Sequence, residues 1–393
     1  MKPGSWPSIG LIYLYGVLGS ASLSKVIPLQ ADFARHLGAS PGQFALLMAL
    51  LSVPPAFFAT ISGSIADRVG ARKVMIASAM MGVVANGLGY YATSLTAFQG
   101  IRLLEGFVLA GVYSSAPALI MATAGDARRG RAMAFWSTYT PVGISLGMLI
   151  GSHFTGTDGW RGAYGVQGVM FAVLAVAGLL LPVPVAAARA AGKKPGLLST
   201  YTQAGPLRVA LTFGALVVMG LGTNTVFPSW YAQHHGVTVA AASSMYAGLN
   251  FMMIVGGLLA AMLLGRGLGP LSLFRMLAVL AGVSALGLYL PGVATAATIT
   301  ALVVWLLASG AATAVVTSSL PRVVRDPAQG AAAAGLLSQV AALTTFVTPQ
   351  LWVGVLGLGA GAWQGFLVII ALGWAAALLL LPVRQRETPA ASR

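Results

Sequence analysis

The chain has 393 residues, 58% of them hydrophobic and 7% charged, with a mean hydropathy of +0.86. A water-soluble domain carries about 25% charged residues, so this composition excludes a water-covered surface and leaves lipid as the solvent. The absence of cysteine excludes disulfides and thiolate metal sites, while the formal net charge of +15 raises the question of an acidic partner.

Twelve apolar segments follow in chain order, at about 9–30, 43–62, 74–93, 98–122, 132–152, 163–182, 208–230, 243–264, 273–291, 297–319, 331–354 and 363–382. Each has close to the ~20 residues a helix needs to cross the hydrocarbon core. The opening stretch, MKPGSWPSIG, lacks the short apolar core and small-residue cleavage site of a removable signal, so the first segment reads as a helix that stays. With the N-terminus inside, 18 of the 22 Lys and Arg fall in cytoplasmic segments and only Arg35 and Arg161 in outer loops. Lys25 and Arg102 lie within spans. This is the positive-inside bias, and it predicts an inner (plasma) membrane protein with both termini cytoplasmic. The excess charge is then a topology signal, and no nucleic-acid partner is expected.

The interval 184–207 is rich in small residues, Pro, Gly and basic residues, and it separates six segments from six. Residues 1–183 therefore read as one six-helix bundle, 184–207 as a cytoplasmic linker, and 208–393 as a second bundle with a short basic tail. The halves echo each other at an offset of 200: LLLPV at 179–183 and 379–383, Pro28 and Pro228, Asp126 and Asp326, Gly130 and Gly330. Parallel repeats of this kind hold a substrate site near the bilayer midplane, between the halves.

The second and third segments are joined by GSIADRVGARKV. Gly63 and Gly70 permit a tight turn and close helix approach, Asp67 can meet a helix N-terminus or a basic group, and Arg68, Arg72 and Lys73 can meet acids or lipid phosphates. This loop resembles the signature loop of the major facilitator superfamily. IRLLEGFVLAG in segment four is similar to that family's R-x-x-Q-G pattern, with Glu105 at the Gln position. DARRGRAMAF and GWRGAY resemble its 4–5 loop and the start of its sixth helix. The resemblance implies an all-α fold of twelve transmembrane helices in two pseudo-symmetric bundles, and transport by alternating access. It also implies that Gly63, Asp67, Arg68, Gly70, Arg72 and Lys73 form a gate latch; the alternative is a loop that only fixes topology. In segment five, Gly143, Gly147 and Gly151 make a smooth stripe for close helix contact; the family's antiporter branch has a Gly-Pro pair there, and this chain has Pro141 and Met148 instead.

Of the seven acids only Glu105 lies within a span, three residues from Arg102 on the same helical face. The pair reads either as a proton-coupling site or as a permanent structural ion pair. Lys25 reads either as a lysine snorkelling to the outer surface, two turns from Asp32, or as an anion-binding group in the cavity. Ser20, Ser22 and Ser24 with Thr223, Asn224 and Thr225 form polar stripes on segments one and seven, and Lys25 aligns with Thr225 at the 200-residue offset. Segment eight offers Asn250 alone. Lys25, Ser24, Asn224, Thr225 and Asn250 are thus the substrate-binding candidates. His36, His153, His234 and His235 map to the outer side and read as ordinary interfacial residues.

No nucleophile, metal cluster or large soluble module suggests an enzyme. The sequence predicts a monomeric secondary transporter in the lipid bilayer. It would need no cofactor and draw on a proton gradient to export a small polar organic solute such as a metabolite, a siderophore-like compound or a drug. The alternative is a proton-linked importer of organic anions such as monocarboxylates.

Overall fold

A computed structural model describes residues 1–156, 159–182, 203–324 and 330–381, without the side chains of 59, 60, 63, 64, 67, 126, 127, 321 and 330–332. The described residues form twelve helices long and apolar enough to cross a membrane, and no strand. They are α1 (Trp6–Ser24, resuming at Gln30–Leu37), α2 (Pro41–Leu50 and Val53–Val69), α3 (Ala71–Tyr91), α4 (Leu95–Thr123), α5 (Asp126–Trp136 and Tyr139–His153) and α6 (Gly159–Leu180). The second set is α7 (Ala204–His235), α8 (Val239–Leu249 and Met252–Gly265), α9 (Pro270–Tyr289), α10 (Thr295–Val323), α11 (Gly330–Leu356) and α12 (Gly359–Leu380).

The breaks have identifiable causes. Proline has no N–H to offer the carbonyl four residues back. Pro28 leaves the Ser24 carbonyl without that bond, and α1 passes through a 3-10 turn at Ile27–Leu29. Pro54 and Pro55 follow the interruption of α2 at Leu51 and Ser52, and Pro141 follows that of α5 at Ser137 and Thr138. The break of α8 at Asn250 and Phe251 has no proline near it. Pro117, Pro228 and Pro349 sit within helices that continue past them.

The repeat is visible in the elements. The ranges of α4 and α10 are both 29 residues and stand 200 residues apart. α1 ends at Gly38 (φ 63°) and α7 at Gly236 (φ 66°), both left-handed. The next helices start with Ser40 and Thr238, whose hydroxyls accept from the amides of Gln43 and Ala241. These caps are 198 residues apart, two fewer than α4 and α10, and the 3-10 turn of α1 that α7 lacks lies between Lys25 and its cap. α7 begins at Ala204, four residues earlier than the apolar run suggests, because Pro206 in the first turn needs no N–H partner. Most of the linker, residues 184–202, lies outside the described residues, as do Val183, Asp326 and the tail.

The glycine stripe of α5 is packing. A Cβ on Gly143, Gly147 or Gly151 would come within 2.4, 2.2 and 2.1 Å of the carbonyl oxygens of Val17, Ala21 and Lys25, so α1 and α5 lie backbone to backbone. The two bundles meet where Tyr139–His153 of α5 packs on Val239–Leu249 of α8, where α11 packs on α2, and where the 3-10 turn of α1 touches α8. The remaining halves of the same helices stay with their own bundles: Asp126–Trp136 packs on α4 and α1, and Met252–Gly265 on α10. The α5–α8 pair is therefore closed toward the α1–α2 loop and parts toward the opposite end, which carries Arg68, Arg72, Lys73, Arg128, Arg208 and Arg266. This is the basic end of the molecule.

Candidate functional site

Five helices of the first bundle converge on one ion cluster. Lys25, at the end of the first part of α1, is fully buried, and its Nζ donates to Glu105 Oε1 at 2.6 Å and to Asn86 Oδ1 at 2.6 Å. The same ammonium lies 3.4 Å from the centre of the Tyr164 ring, a cation–π contact in a dry site. On the other side of the carboxylate, Arg102 Nη1 donates to Glu105 Oε2 at 2.5 Å and to the Ser22 carbonyl at 2.8 Å. Arg102 Nε donates to the Leu47 carbonyl at 2.9 Å, which ties α4 to α2.

A further shell holds these groups. Asn86 Nδ2 donates to the Gly82 carbonyl one turn back, which fixes its oxygen toward Lys25. Gln167 Nε2 donates to the Leu18 carbonyl and to Ser22 Oγ, joining α6 to α1. Lys25, Asn86, Arg102, Glu105 and Gln167 are each at most 1% exposed. Two cations and one carboxylate leave the cluster with a formal charge of +1. Burying such groups costs several kcal/mol per ion, which pairing and hydrogen bonds oppose; Arg102 Nη2 and Gln167 Oε1 have no hydrogen-bond partner among the described residues.

Full burial overturns the snorkelling reading of Lys25. Asp32 does not pair with Lys25 either. Its Oδ1 accepts from Arg35 at 2.5 Å and its Oδ2 from the Gly156 amide at 3.0 Å, fastening the end of α1 to the α5–α6 loop. The other substrate-binding candidates scatter. Ser24 Oγ donates to the Ile144 carbonyl across the α1–α5 contact, and Thr225 Oγ1 donates to the Leu221 carbonyl of its own helix. Asn250 Nδ2 donates to the Pro141 carbonyl at 2.8 Å and to Ser145 Oγ at 3.3 Å, a bond from the second bundle to the first. Asn224 is 2% exposed and its amide makes no hydrogen bond among the described residues.

Of the loop residues, Gly70 and Arg72 have contacts or geometry that fix a place within the first bundle. Gly70 is the turn itself (φ 101°), a conformation that favours glycine. Arg72 donates from Nε to the Gly178 carbonyl and from Nη2 to the Leu179 carbonyl, capping the end of α6. Arg208 caps α12 in the same manner at Leu379 and Leu380. Arg68 and Lys73 are exposed, while Gly63 and Asp67 are among the positions whose side chains lie outside the description. Sequence reasoning passed over Asn86, Tyr164 and Gln167. Asn86 and Gln167 are amides inside apolar spans, a signal of the same kind that singled out Glu105.

Two repeated six-helix bundles joined by α2 on α11 and by an α5–α8 pair that is closed at one end and separate at the other, with ionised groups sealed inside one bundle, define a membrane transporter fold. The Major Facilitator Superfamily model matches residues 11–349, and the chain belongs to that superfamily. The fatty acid resistance protein FarB of Neisseria gonorrhoeae is 29% identical over 153 residues, 39% of this chain and 30% of that protein. The multi-drug resistance efflux pump PmrA of Streptococcus pneumoniae is 28% identical over 163 residues, 40% of this chain and 41% of PmrA. The multidrug export protein EmrB of Haemophilus influenzae is 28% identical over 153 residues, 39% of this chain and 29% of EmrB. The chain thus spans well under half the length of these relatives. Over the whole fold, it superposes on a bacterial homolog of the human lysosomal transporter Spinster, in an inward-facing and occupied conformation. The TM-score is 0.73 at 14% identity, over 97% of this chain and 95% of that one.

Proposed function

We propose that this transporter exports a small polar organic solute by alternating access, as a monomer in the inner (plasma) membrane, with the proton gradient as its energy source and no cofactor. The observation that carries the reading is the Lys25–Glu105–Arg102 cluster. A proton delivered to Glu105 removes the one negative charge between Lys25 and Arg102 and leaves two cations facing each other in a dry site. Lys25 must then move, and it sits at the break of α1, where the backbone already departs from the helix. Protonation is thereby linked to the bend of a helix that packs along α5, one of the two helices that close the far end.

The positive-inside rule assigns the basic end to the cytoplasm, so the parted bundles face the cytoplasm, the side from which an exporter loads. Efflux pumps among the relatives favour the same direction. In this reading Asp67 and its neighbours Gly63, Arg68, Gly70, Arg72 and Lys73 latch the basic end when it closes. An importer of organic anions such as monocarboxylates needs a cation free to hold the anion, and the Lys25 ammonium is spent on Glu105, Asn86 and the Tyr164 ring.

The test is flux in proteoliposomes under an imposed pH gradient of either polarity, with a panel of organic compounds. Wild-type protein moves at least one compound against its gradient when protons run the opposite way. Glu105→Gln keeps exchange down a solute gradient and loses the response to pH. Full pH-driven transport by Glu105→Gln contradicts the coupling role, and accumulation of carboxylates with the proton flow restores the importer.

A further inference from the structure

Where α1, α4 and α5 meet, the first bundle presents a set of aromatic rings. Tyr113 of α4 and Tyr139 of α5 stand 5.1 Å apart between ring centres, and Trp136 lies 4.4 Å from Tyr139. Gly16 of α1 makes room for them: a Cβ there would lie 2.6 Å from the Trp136 ring and 2.9 Å from Tyr139. The Tyr113 hydroxyl and Ser20 Oγ are 2.8 Å apart, and the Tyr13 hydroxyl and Thr138 Oγ1 are 3.1 Å apart, so the wall is aromatic with a hydrogen-bonding rim. None of these side chains is charged.

The position of the wall matters as much as its chemistry. Tyr139 opens the second part of α5, directly after the Ser137–Thr138 break, and two residues further on the Pro141 carbonyl accepts the bond from Asn250 of the other bundle. Toward the basic end of that bond α5 and α8 separate, so the ring pair stands just below the seal. Both tyrosines are only partly buried. We propose that Tyr113 and Tyr139 are specificity-determining residues that select organic solutes carrying a flat aromatic ring. Such a ring stacks edge or offset on the two tyrosine faces, and a delocalised cation on it adds attraction to their π clouds. A bare carboxylate finds no cation in the wall and loses its hydration.

The inference rests on the reading of the chain as a transporter open at its basic end. Its test is equilibrium binding to the purified full-length protein in detergent, which needs no gradient and is therefore independent of proton coupling. Rhodamine 6G serves as a flat cationic probe. Benzamide and cyclohexanecarboxamide share one amide group on a flat and a puckered ring. Rhodamine 6G and benzamide bind, and cyclohexanecarboxamide binds about tenfold more weakly or not at all. Tyr139→Leu and Tyr113→Leu each weaken the flat probes by about fivefold to tenfold, while Tyr139→Phe stays within about twofold. No binding of either flat probe, equal binding of the two amides by wild-type protein, or a Tyr139→Phe loss matching that of Tyr139→Leu overturns the proposal. The comparison of the two amides uses unmodified protein and stands even if a leucine variant fails to fold.

Discussion

Glu105 and Trp305 occupy the same place in α4 and α10, 200 residues apart and each 1% exposed. The contrast extends to their neighbours, since the stretch of α7 that answers Lys25 carries the buried hydroxyls Thr223 and Thr225. One bundle thus carries an ion cluster where the other carries an indole and hydroxyls. Among the described residues, buried charge is confined to the half in which the helix-one break lies, so any step driven by protonation acts on one bundle and reaches the other through their contact.

The ion cluster makes an asymmetric stability prediction. Glu105→Ala leaves two buried cations without a counter-charge, at a cost of about 3–5 kcal/mol. Lys25→Met leaves Glu105 still bridged to Arg102 and costs clearly less. Thermal unfolding in detergent reads the difference; equal losses would mean that the three groups do not share one carboxylate.

Close packing of α1 on α5 predicts a second contrast. Gly147→Ala places a Cβ 2.2 Å from the Ala21 carbonyl oxygen, and the forced separation costs about 1–3 kcal/mol. Gly87→Ala, with nothing within 4 Å, is neutral or stabilises α3 by up to about 1 kcal/mol. Melting temperatures of the two variants check both signs, and a harmless Gly147→Ala would show that the helices stand further apart.

Arg72 and Arg208 close helix ends that finish at the basic end. Arg72→Ala and Arg208→Ala each cost about 0.5–1 kcal/mol, and Lys at either site restores only part, because one ammonium cannot hold two successive carbonyls as the guanidinium does. Hydrogen exchange of the last turns of α6 and α12 is the specific readout. Faster exchange elsewhere but not there would exclude capping.

Asn250→Leu removes the bond from α8 to the Pro141 carbonyl while keeping an apolar side chain of similar size. The far end then opens more often, seen as faster thiol labelling of a cysteine introduced at Val237 into a chain that has no cysteine of its own. Unchanged labelling would mean that Asn250 does not hold the seal.

Much of this architecture is legible in the sequence because lipid imposes a length and a composition on every span. The twelve helices, the repeat and the glycine stripe follow from local patterns of that kind. The partner of Lys25 does not: Glu105 is 80 residues away, and a charge pair between helices leaves no periodic trace. The offset of the repeat is 200 at α4 and α10 and 198 at the caps of α2 and α8, a change that the 3-10 turn in α1 introduces and that no local pattern announces. Asn250 reads as a cavity residue from its helix alone, whereas its partners, the Pro141 carbonyl and Ser145 Oγ, lie in the other bundle, more than 100 residues away in the chain.

The central claim is that the charge state of Glu105 controls which end of the α5–α8 pair is open. Spin-label distances between cysteines placed at exposed Arg131 and Met262 measure the gap at the basic end. The account predicts that Glu105→Gln, which lacks the charge that holds Lys25, shifts this distribution toward shorter distances relative to wild-type protein at the same pH. An unchanged distribution, or a shift toward longer distances, would contradict it.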